Sequence, residues 1–187
     1  MVNLDPSIVL NTMSDHDHLR EFLLAEGQVS FAASLETSVP KVALLSAASW
    51  IEDRVQQIVL ELYQEAIPNE PHRVSFVRSA GIERRYHTWF NWKTPNANSF
   101  FGLFGPEFKA FCAEQIKTSE TLAGDIAAFM ELGRLRNEMV HENFAAYALG
   151  KSVAEVETLF RRALAFVEML PSLLRGLGRD GEGAEGT

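Results

Sequence analysis

The apolar residues between Pro40 and Pro68 constrain the fold more than any other feature of the sequence. They recur at steps of three and four residues, and no glycine or proline interrupts them. Such steps place apolar groups on one face of a helix. A helix of this length spans about 40 Å and must bury that face against other elements. We therefore predict a long amphipathic helix that begins at Pro40, since proline suits a first helical position.

Local signals predict the remaining helices. Ser14 with Asp17 forms a capping-box pattern, which indicates a short helix that ends near Gly27. Three more helices are expected in the second half: one from Pro106 to about Lys117, one from Thr118 or Ser119 to the region of Phe144, and one that is capped by Ser152 and Glu155 and that Pro171 disturbs or ends.

Between the long helices, residues 68–105 are interrupted by glycine and proline but are rich in aromatic side chains. This combination predicts short helices and ordered loops rather than a linker. No strand alternation or internal repeat is apparent. The expected fold is all-α: a four- to five-helix up-and-down bundle with an irregular aromatic-rich insertion between long helices. We divide the chain into an N-terminal extension with a short helix (1–37), the bundle (38–176) and a disordered, acidic, Gly-rich tail (177–187).

Cysteine content and apolar runs indicate the compartment. The single cysteine, Cys112, allows no internal disulfide, which fits a reducing compartment. Its helical context predicts a buried structural thiol rather than a nucleophile. The N-terminus lacks a basic signal-peptide region, and no apolar run reaches the roughly 18 residues of a membrane span. We expect a cytoplasmic protein with no membrane partner.

The charge is unevenly distributed along the chain. A net charge of −8 argues against a protein that coats nucleic acid. Residues 72–93, however, hold five lysine and arginine residues against Glu83 alone. Basic groups among aromatic ones can hold single-stranded RNA, although such aromatics can equally belong to the core and such arginines can pair with surface acids. The candidate RNA-binding residues are Arg84, Arg85, His87 and Lys93.

The segment from Gly133 to Glu142 holds the side chains most suited to chemistry. Arg134, Asn137 and His141 fall on one stripe of the predicted helix. Arg136 lies about 140° round the helix from His141. Its long side chain can reach an anion near the helix end or act across a subunit interface. The alternative is that these groups are ordinary surface residues paired with neighbouring glutamates.

Here the sequence resembles a known family. Arg136-Asn137-x-x-x-His141 matches the Arg-x4–6-His signature of HEPN domains, including the polar residue after the arginine. An upstream helix bears a carboxylate, Glu52, in SWIEDRVQQIV, much as HEPN bundles do. The stretch NWKTPNANSFFGLFGPEF resembles the Pro-Asn…Phe…Phe-Gly segment of the RiboL-PSP-HEPN branch. The resemblance covers roughly residues 38–170.

The resemblance implies a metal-independent endoribonuclease that acts as a homodimer, with two copies of the motif in one composite cleft and no cofactor. His141 would be the general acid or base, because histidine exchanges protons near neutral pH. Arg136 would stabilise the charge that builds on the phosphate, and Asn137 would orient His141 or the phosphate. Supporting roles fall to Glu52, as a partner of Arg136 or Arg134, and to Arg134 itself. Glu52 can equally be a solvated helix residue, or an i,i+4 partner of Gln56.

By the same resemblance, such proteins are toxin–antitoxin or anti-phage effectors that cut tRNA or other cellular RNA, leaving 2′,3′-cyclic phosphate ends. A cognate antitoxin or regulatory protein is then a possible partner. Two alternatives stay open: a non-catalytic HEPN-fold dimerisation or protein-interaction module, and a structural bundle without RNA affinity. We predict no metal site at Asp15-His16-Asp17-His18, because adjacent helical residues point in different directions.

Overall fold

The computed structural model describes residues 5–176, which form helices joined by turns, with no strand in that range. A π-helical turn, Arg78–Ile82, continues the third helix. The helices are α1 (Ser7–Ala25), α2 (Val29–Ala66), α3 (Pro71–Val77), α4 (Tyr86–Trp89), α5 (Asn98–Gly102), α6 (Pro106–Thr118), α7 (Leu122–His141) and α8 (Val153–Gly176). The prediction of an all-α fold is confirmed. The predicted disordered tail, 177–187, lies outside the described residues.

The core forms where α8 packs against α7 and α2, and α1 packs against α2. The α8 face shows why the sequence folds this way: Val156, Phe160, Ala163, Val167 and Leu170 recur at three- and four-residue steps and are fully buried. Each large apolar side chain buried in this way contributes about 1.5–3 kcal/mol. This face therefore holds α8 at the centre of the bundle.

The predicted start of the first helix is wrong. The helix begins at Ser7, whose backbone N–H donates a hydrogen bond of 2.9 Å to the Asp5 carboxylate. Ser14 therefore lies inside α1 and caps nothing. The predicted stop at Gly27 is confirmed, because α1 ends at Ala25 and Gly27 adopts the left-handed conformation at φ 69°.

The predicted start of the long helix at Pro40 is also wrong, since α2 begins at Val29. The residues ahead of Pro40 stay helical because they pack on α1, where Ala32 is buried and Arg20 pairs with Glu36. The predicted boundary between residues 37 and 38 falls inside this continuous helix. The division of the chain into 1–37 and 38–176 stays a prediction.

Prolines 40 and 171 both stand inside helices. A proline in a helix interior costs about 3 kcal/mol or more. Buried neighbours offset that cost: Leu44 follows Pro40, and Leu170 and Leu173 flank Pro171. The prediction that Pro171 disturbs or ends the last helix is wrong about the end, since α8 continues to Gly176.

The other helix boundaries in the second half follow their local signals. α6 begins at Pro106, directly after Gly105. The hydroxyl of Ser119 accepts the Leu122 N–H at 3.2 Å where α7 begins. The predicted capping box at α8 is confirmed, because the Glu155 carboxylate accepts the Ser152 N–H at 2.8 Å. α7 ends at His141, three residues before the predicted region of Phe144.

The aromatic-rich insertion turns most of its rings inward, which confirms an ordered segment of short helices. Tyr86, Trp89, Phe90 and Phe100 are buried in it. Phe90 links the insertion to α7, with its ring centroid 5.0 Å from that of Phe129. The insertion is therefore part of the core, and it covers one side of α7.

Candidate active site

A narrow crevice lies where α2, α4 and α7 meet, and the side chain of Arg136 reaches into it. α7 supplies Arg136 and α2 supplies Glu52, while the insertion closes the remaining side. The lining residues are Ala48, Ile51, Glu52, Tyr86, His87, Trp92, Phe129, Leu132, Gly133, Arg136 and Asn137.

Arg136 is held from two sides. Its Nη2 lies 3.9 Å from Glu52 Oε2, and its Nη1 donates to Asn137 Oδ1 at 3.1 Å. Glu52 also accepts a hydrogen bond of 3.3 Å from Gln56 Nε2, so both predicted interactions of Glu52 are present at once. A guanidinium has five N–H donors. Within residues 5–176 these contacts leave most of the Arg136 donors without a protein acceptor, so the group is oriented but not saturated.

Tyr86 forms a neutral wall of the same crevice, which sequence reasoning missed because it treated this ring only as one aromatic among several. Burial raises the pKa of its phenol well above the ordinary value of 10.0. The negative charge of Glu52 adds to that rise, and Arg136 opposes it. The phenol therefore stays protonated at neutral pH.

Gly133 is a second residue whose role the sequence did not reveal. A Cβ at this position would collide with the Trp92 ring, so the absence of a side chain lets the insertion touch α7 one turn before Arg136. Trp92 Nε1 in turn donates to the backbone oxygen of His87 at 3.1 Å. The available signal was an isolated glycine in a helical pattern. Glycine lowers helix stability by about 1 kcal/mol relative to alanine, so a glycine at such a position indicates a packing requirement.

His141 is the last residue of α7 and is exposed. It lies five residues beyond Arg136, about 7.5 Å further along the helix axis at 1.5 Å per residue. Within residues 5–176 no hydrogen bond or ion pair joins the two side chains. The turn that follows is anchored to α2, because buried Lys41 donates from Nζ to the Phe144 carbonyl at 3.0 Å. His141 is thus presented at a fixed helix end.

The predicted stripe of Arg134, Asn137 and His141 does not converge on one group. Arg134 forms an ion pair of 2.6 Å with Glu138 on its own helix. Asn137 instead contacts Arg136. Of the two predicted arginine partners of Glu52, Arg136 lies beside it, whereas Arg134 pairs with Glu138.

The four candidate RNA-binding residues are all exposed but do not face one hollow. His87 borders the crevice of Arg136. Lys93 borders a neighbouring hollow shared with Arg134, and Arg85 borders an apolar one on the other side of α4. Arg84 occupies the turn before α4 with φ 61°. The aromatic residues among them are mainly core residues, which supports the alternative in which these rings belong to the core. Tyr86 and Trp89 are buried and therefore cannot stack on RNA bases as exposed rings.

Other reactive residues lie outside the crevice. Cys112 is buried, and burial raises the pKa of its thiol to about 12, in agreement with the predicted structural role. His16 is buried on α1, with Nδ1 3.1 Å from the Asp17 carboxylate.

Among the described residues, no three histidine, cysteine or acidic side chains are grouped to hold a metal ion. In the same range no helix combines the length and apolar character that a membrane crossing requires.

A comparison of the chain with family models identifies its family. The model described as RiboL-PSP-HEPN matches residues 12–175. The chain belongs to the RiboL-PSP-HEPN family. HEPN domains are frequently ribonucleases, and their fold is helical. The match also takes in most of α1, which lies ahead of the stretch on which the sequence resemblance rested. No curated protein and no solved structure matches the chain.

Proposed function

We propose that this HEPN domain is a metal-independent endoribonuclease in which Arg136 binds the scissile phosphate and His141 transfers a proton. The observation that carries the proposal is the state of Arg136: Glu52 and Asn137 orient it in a crevice, and among residues 5–176 most of its donors meet no protein acceptor. An oriented guanidinium is suited to charge that develops on phosphate oxygens.

The proposed reaction needs only RNA and these side chains. The RNA 2′-oxygen attacks the adjacent phosphorus as its proton passes to a base. The bond from phosphorus to the 5′-oxygen breaks, and that oxygen receives a proton from an acid. The products are a 2′,3′-cyclic phosphate and a 5′-hydroxyl. Asn137 keeps the Arg136 fork turned toward the phosphate, with Glu52 and Arg134 as supporting residues.

Two proton transfers call for two acid–base groups, and this supports a homodimer. His141 stands exposed at the end of α7, where a second copy of the chain can approach it. In a symmetric dimer the two His141 side chains would serve as base and acid in one composite cleft. Nearby exposed cations, Arg84, Arg85 and Lys93, would hold the RNA backbone despite the net charge of −8.

Family membership is the only support for the biological role that we propose next. We propose a toxin or anti-phage effector that acts in the cytoplasm on tRNA or other cellular RNA. An enzyme of this kind must be restrained in its own cell, so a cognate antitoxin or regulatory protein is the expected partner.

A second candidate is a non-catalytic interaction module. Large apolar side chains are exposed around the turn that joins α1 and α2: Phe22, Val29 and Phe31 have exposed fractions of 60%, 65% and 64%. Apolar groups clustered on a surface mark partner-binding sites. This surface would serve a dimer or a protein partner whether or not the crevice cuts RNA.

The proposed chemistry is tested by product analysis. Purified protein is incubated in excess EDTA with an RNA oligonucleotide, and in parallel with the same sequence carrying 2′-O-methyl groups. We expect the RNA to be cut, with cyclic phosphate and 5′-hydroxyl ends, and the methylated strand to remain intact because it lacks the nucleophile. Cutting of the methylated strand, or 5′-phosphate ends, would contradict the mechanism. Intact RNA together with stable binding would favour the interaction module.

A further inference from the structure

Glu52 stands between two basic side chains and not beside Arg136 alone. Its Oε2 lies 3.9 Å from Arg136 Nη2, and its Oε1 lies 3.8 Å from His87 Nε2. Both distances exceed those of hydrogen bonds, so the carboxylate is shared by charge and not fixed to either partner. The side chain of His87 is 44% exposed, which puts it on the solvent side of the crevice.

The position of His87 is fixed by the surrounding structure. Its backbone oxygen accepts the Trp92 N–H, and Trp92 rests on α7 where Gly133 has no side chain. The imidazole also meets the Tyr86 ring edge-on, with centroids 5.7 Å apart. α4 therefore cannot shift relative to Arg136 without disrupting these contacts, and His87 is held facing Glu52.

The charge of the crevice depends on the imidazole. The charged groups that face it from other helices are Glu52 of α2 and, beyond it, Arg136 of α7, and these two cancel. On its own helix the neighbouring phenol of Tyr86 is neutral, because its pKa is raised well above the ordinary value. Protonation of His87 would therefore change the crevice from neutral to positive. The protonated imidazole would also attract the Glu52 carboxylate and so weaken the attraction between Glu52 and Arg136.

We propose that His87 is a positioning residue for Arg136, and that its protonated form shares Glu52 and so frees the Arg136 guanidinium to bind an RNA phosphate. This inference rests on the proposed function and deepens it. Histidine changes charge between about pH 5 and 8, so RNA affinity should rise as the pH falls through that range. His87 acts here through Glu52, without exchanging a proton with the substrate.

The test uses three variants of the full chain. His87→Gln removes the imidazole, and His87→Lys supplies a permanent cation. His72→Gln is the matched control, because His72 lies 3.2 Å from Glu70 on an exposed surface outside the crevice. KM and kcat for RNA cleavage are measured from about pH 5 to pH 8, the range in which histidine titrates. Binding of the uncleavable 2′-O-methyl strand is measured over the same range.

We expect the KM of the parent protein and of His72→Gln to fall about two- to fivefold toward the acidic end, as befits an ion pair partly open to solvent. His87→Gln should keep the higher KM throughout, and His87→Lys the lower one. The pH dependence of kcat should be the same in all three variants as in the parent protein.

Parallel KM profiles for His87→Gln and His72→Gln would overturn the inference while leaving the nuclease proposal intact. If no variant cuts RNA but binding of the methylated strand follows the expected pattern, the positioning role stands and the nuclease proposal fails. Binding with no pH response overturns the positioning role.

Discussion

α2 carries two carboxylates that each meet an arginine from later in the chain, and the two pairs differ sharply. Near the C-terminal end of α2, Glu65 takes a two-pronged contact from Arg175 of α8, with N–O distances of 3.0 and 2.7 Å. Nearer the middle of the same helix, Glu52 lies 3.9 Å from Arg136 and shares its charge with His87. The first pair saturates a guanidinium fork, whereas the second leaves it open.

The difference separates a structural pair from the pair that we propose to be functional. A bidentate arginine–carboxylate pair has used the geometry that would otherwise recognise a phosphate. A loosely held arginine in a crevice keeps that geometry available. Arg136, rather than Arg175, is therefore the arginine suited to an RNA substrate.

The largest expected effect comes from exchanging arginine for lysine in each pair. Arg136→Lys keeps the charge but loses the fork, and cleavage should fall about 100-fold or more, as for the loss of a donor that stabilises a transition state. Arg175→Lys is the matched control and should cut RNA at the parent rate. Equal rates for the two variants, measured with a labelled oligonucleotide, would erase the distinction between the pairs.

Gly133→Ala should disturb the functional pair without touching its members. The new methyl group would collide with Trp92, and overpacking of this kind costs about 1–3 kcal/mol. The free energy of unfolding by urea should drop by that amount, and cleavage should fall because the crevice wall shifts. Gly102→Ala is the control, since a Cβ there meets nothing within 4 Å. Identical unfolding curves would show that Trp92 does not rest on Gly133.

Charge reversal at Arg84 and Arg85 tests whether the exposed cations of the insertion hold RNA. The double variant Arg84→Glu, Arg85→Glu should weaken RNA binding roughly tenfold at low salt and flatten the salt dependence, because phosphate contacts are lost. Stability should be unchanged, since both side chains are exposed. The pair Lys109→Glu, Lys117→Glu on α6 makes the same charge change elsewhere. An equal loss in both double variants would point to net charge alone.

The smallest effect is expected at the structural pair. The hydrogen bond from Arg175 lowers the pKa of Glu65 below its ordinary value of 4.5. A lowered folded-state pKa means that the pair stabilises the fold above about that value and that this contribution is lost as the pH falls below it. Arg175→Ala should therefore lower Tm slightly at pH 7, and by less as the pH falls through the lowered pKa of Glu65, where the parent loses the pair. A loss of Tm that is constant with pH would mean that packing, and not the ion pair, is responsible.

Local signals predicted part of this molecule well. Pro106 and the pair Ser152 and Glu155 mark helix starts through their immediate neighbours, so the sequence places the starts of α6 and α8 correctly. Pro40 misled because a long-range cause prevailed: packing on α1 keeps the chain helical ahead of it. Proline preference reports only local geometry and cannot register such packing.

The motif of the candidate site could be read from the sequence, but its surroundings could not. Arg136 and His141 stand close in sequence, and the family signature marks them as the candidates. The contact of Glu52 with Arg136 joins α2 to α7, and that of Trp92 with Gly133 joins the insertion to α7. No periodicity within a single helix reveals such pairings, because they arise only when the bundle is assembled.

The most direct test of the central claim is cleavage of total tRNA in excess EDTA by the parent protein beside Arg136→Ala and His141→Ala. We expect the parent protein to cut tRNA, and both variants to remain folded dimers that leave tRNA intact. Undiminished cutting by either variant would contradict the assignment of the site.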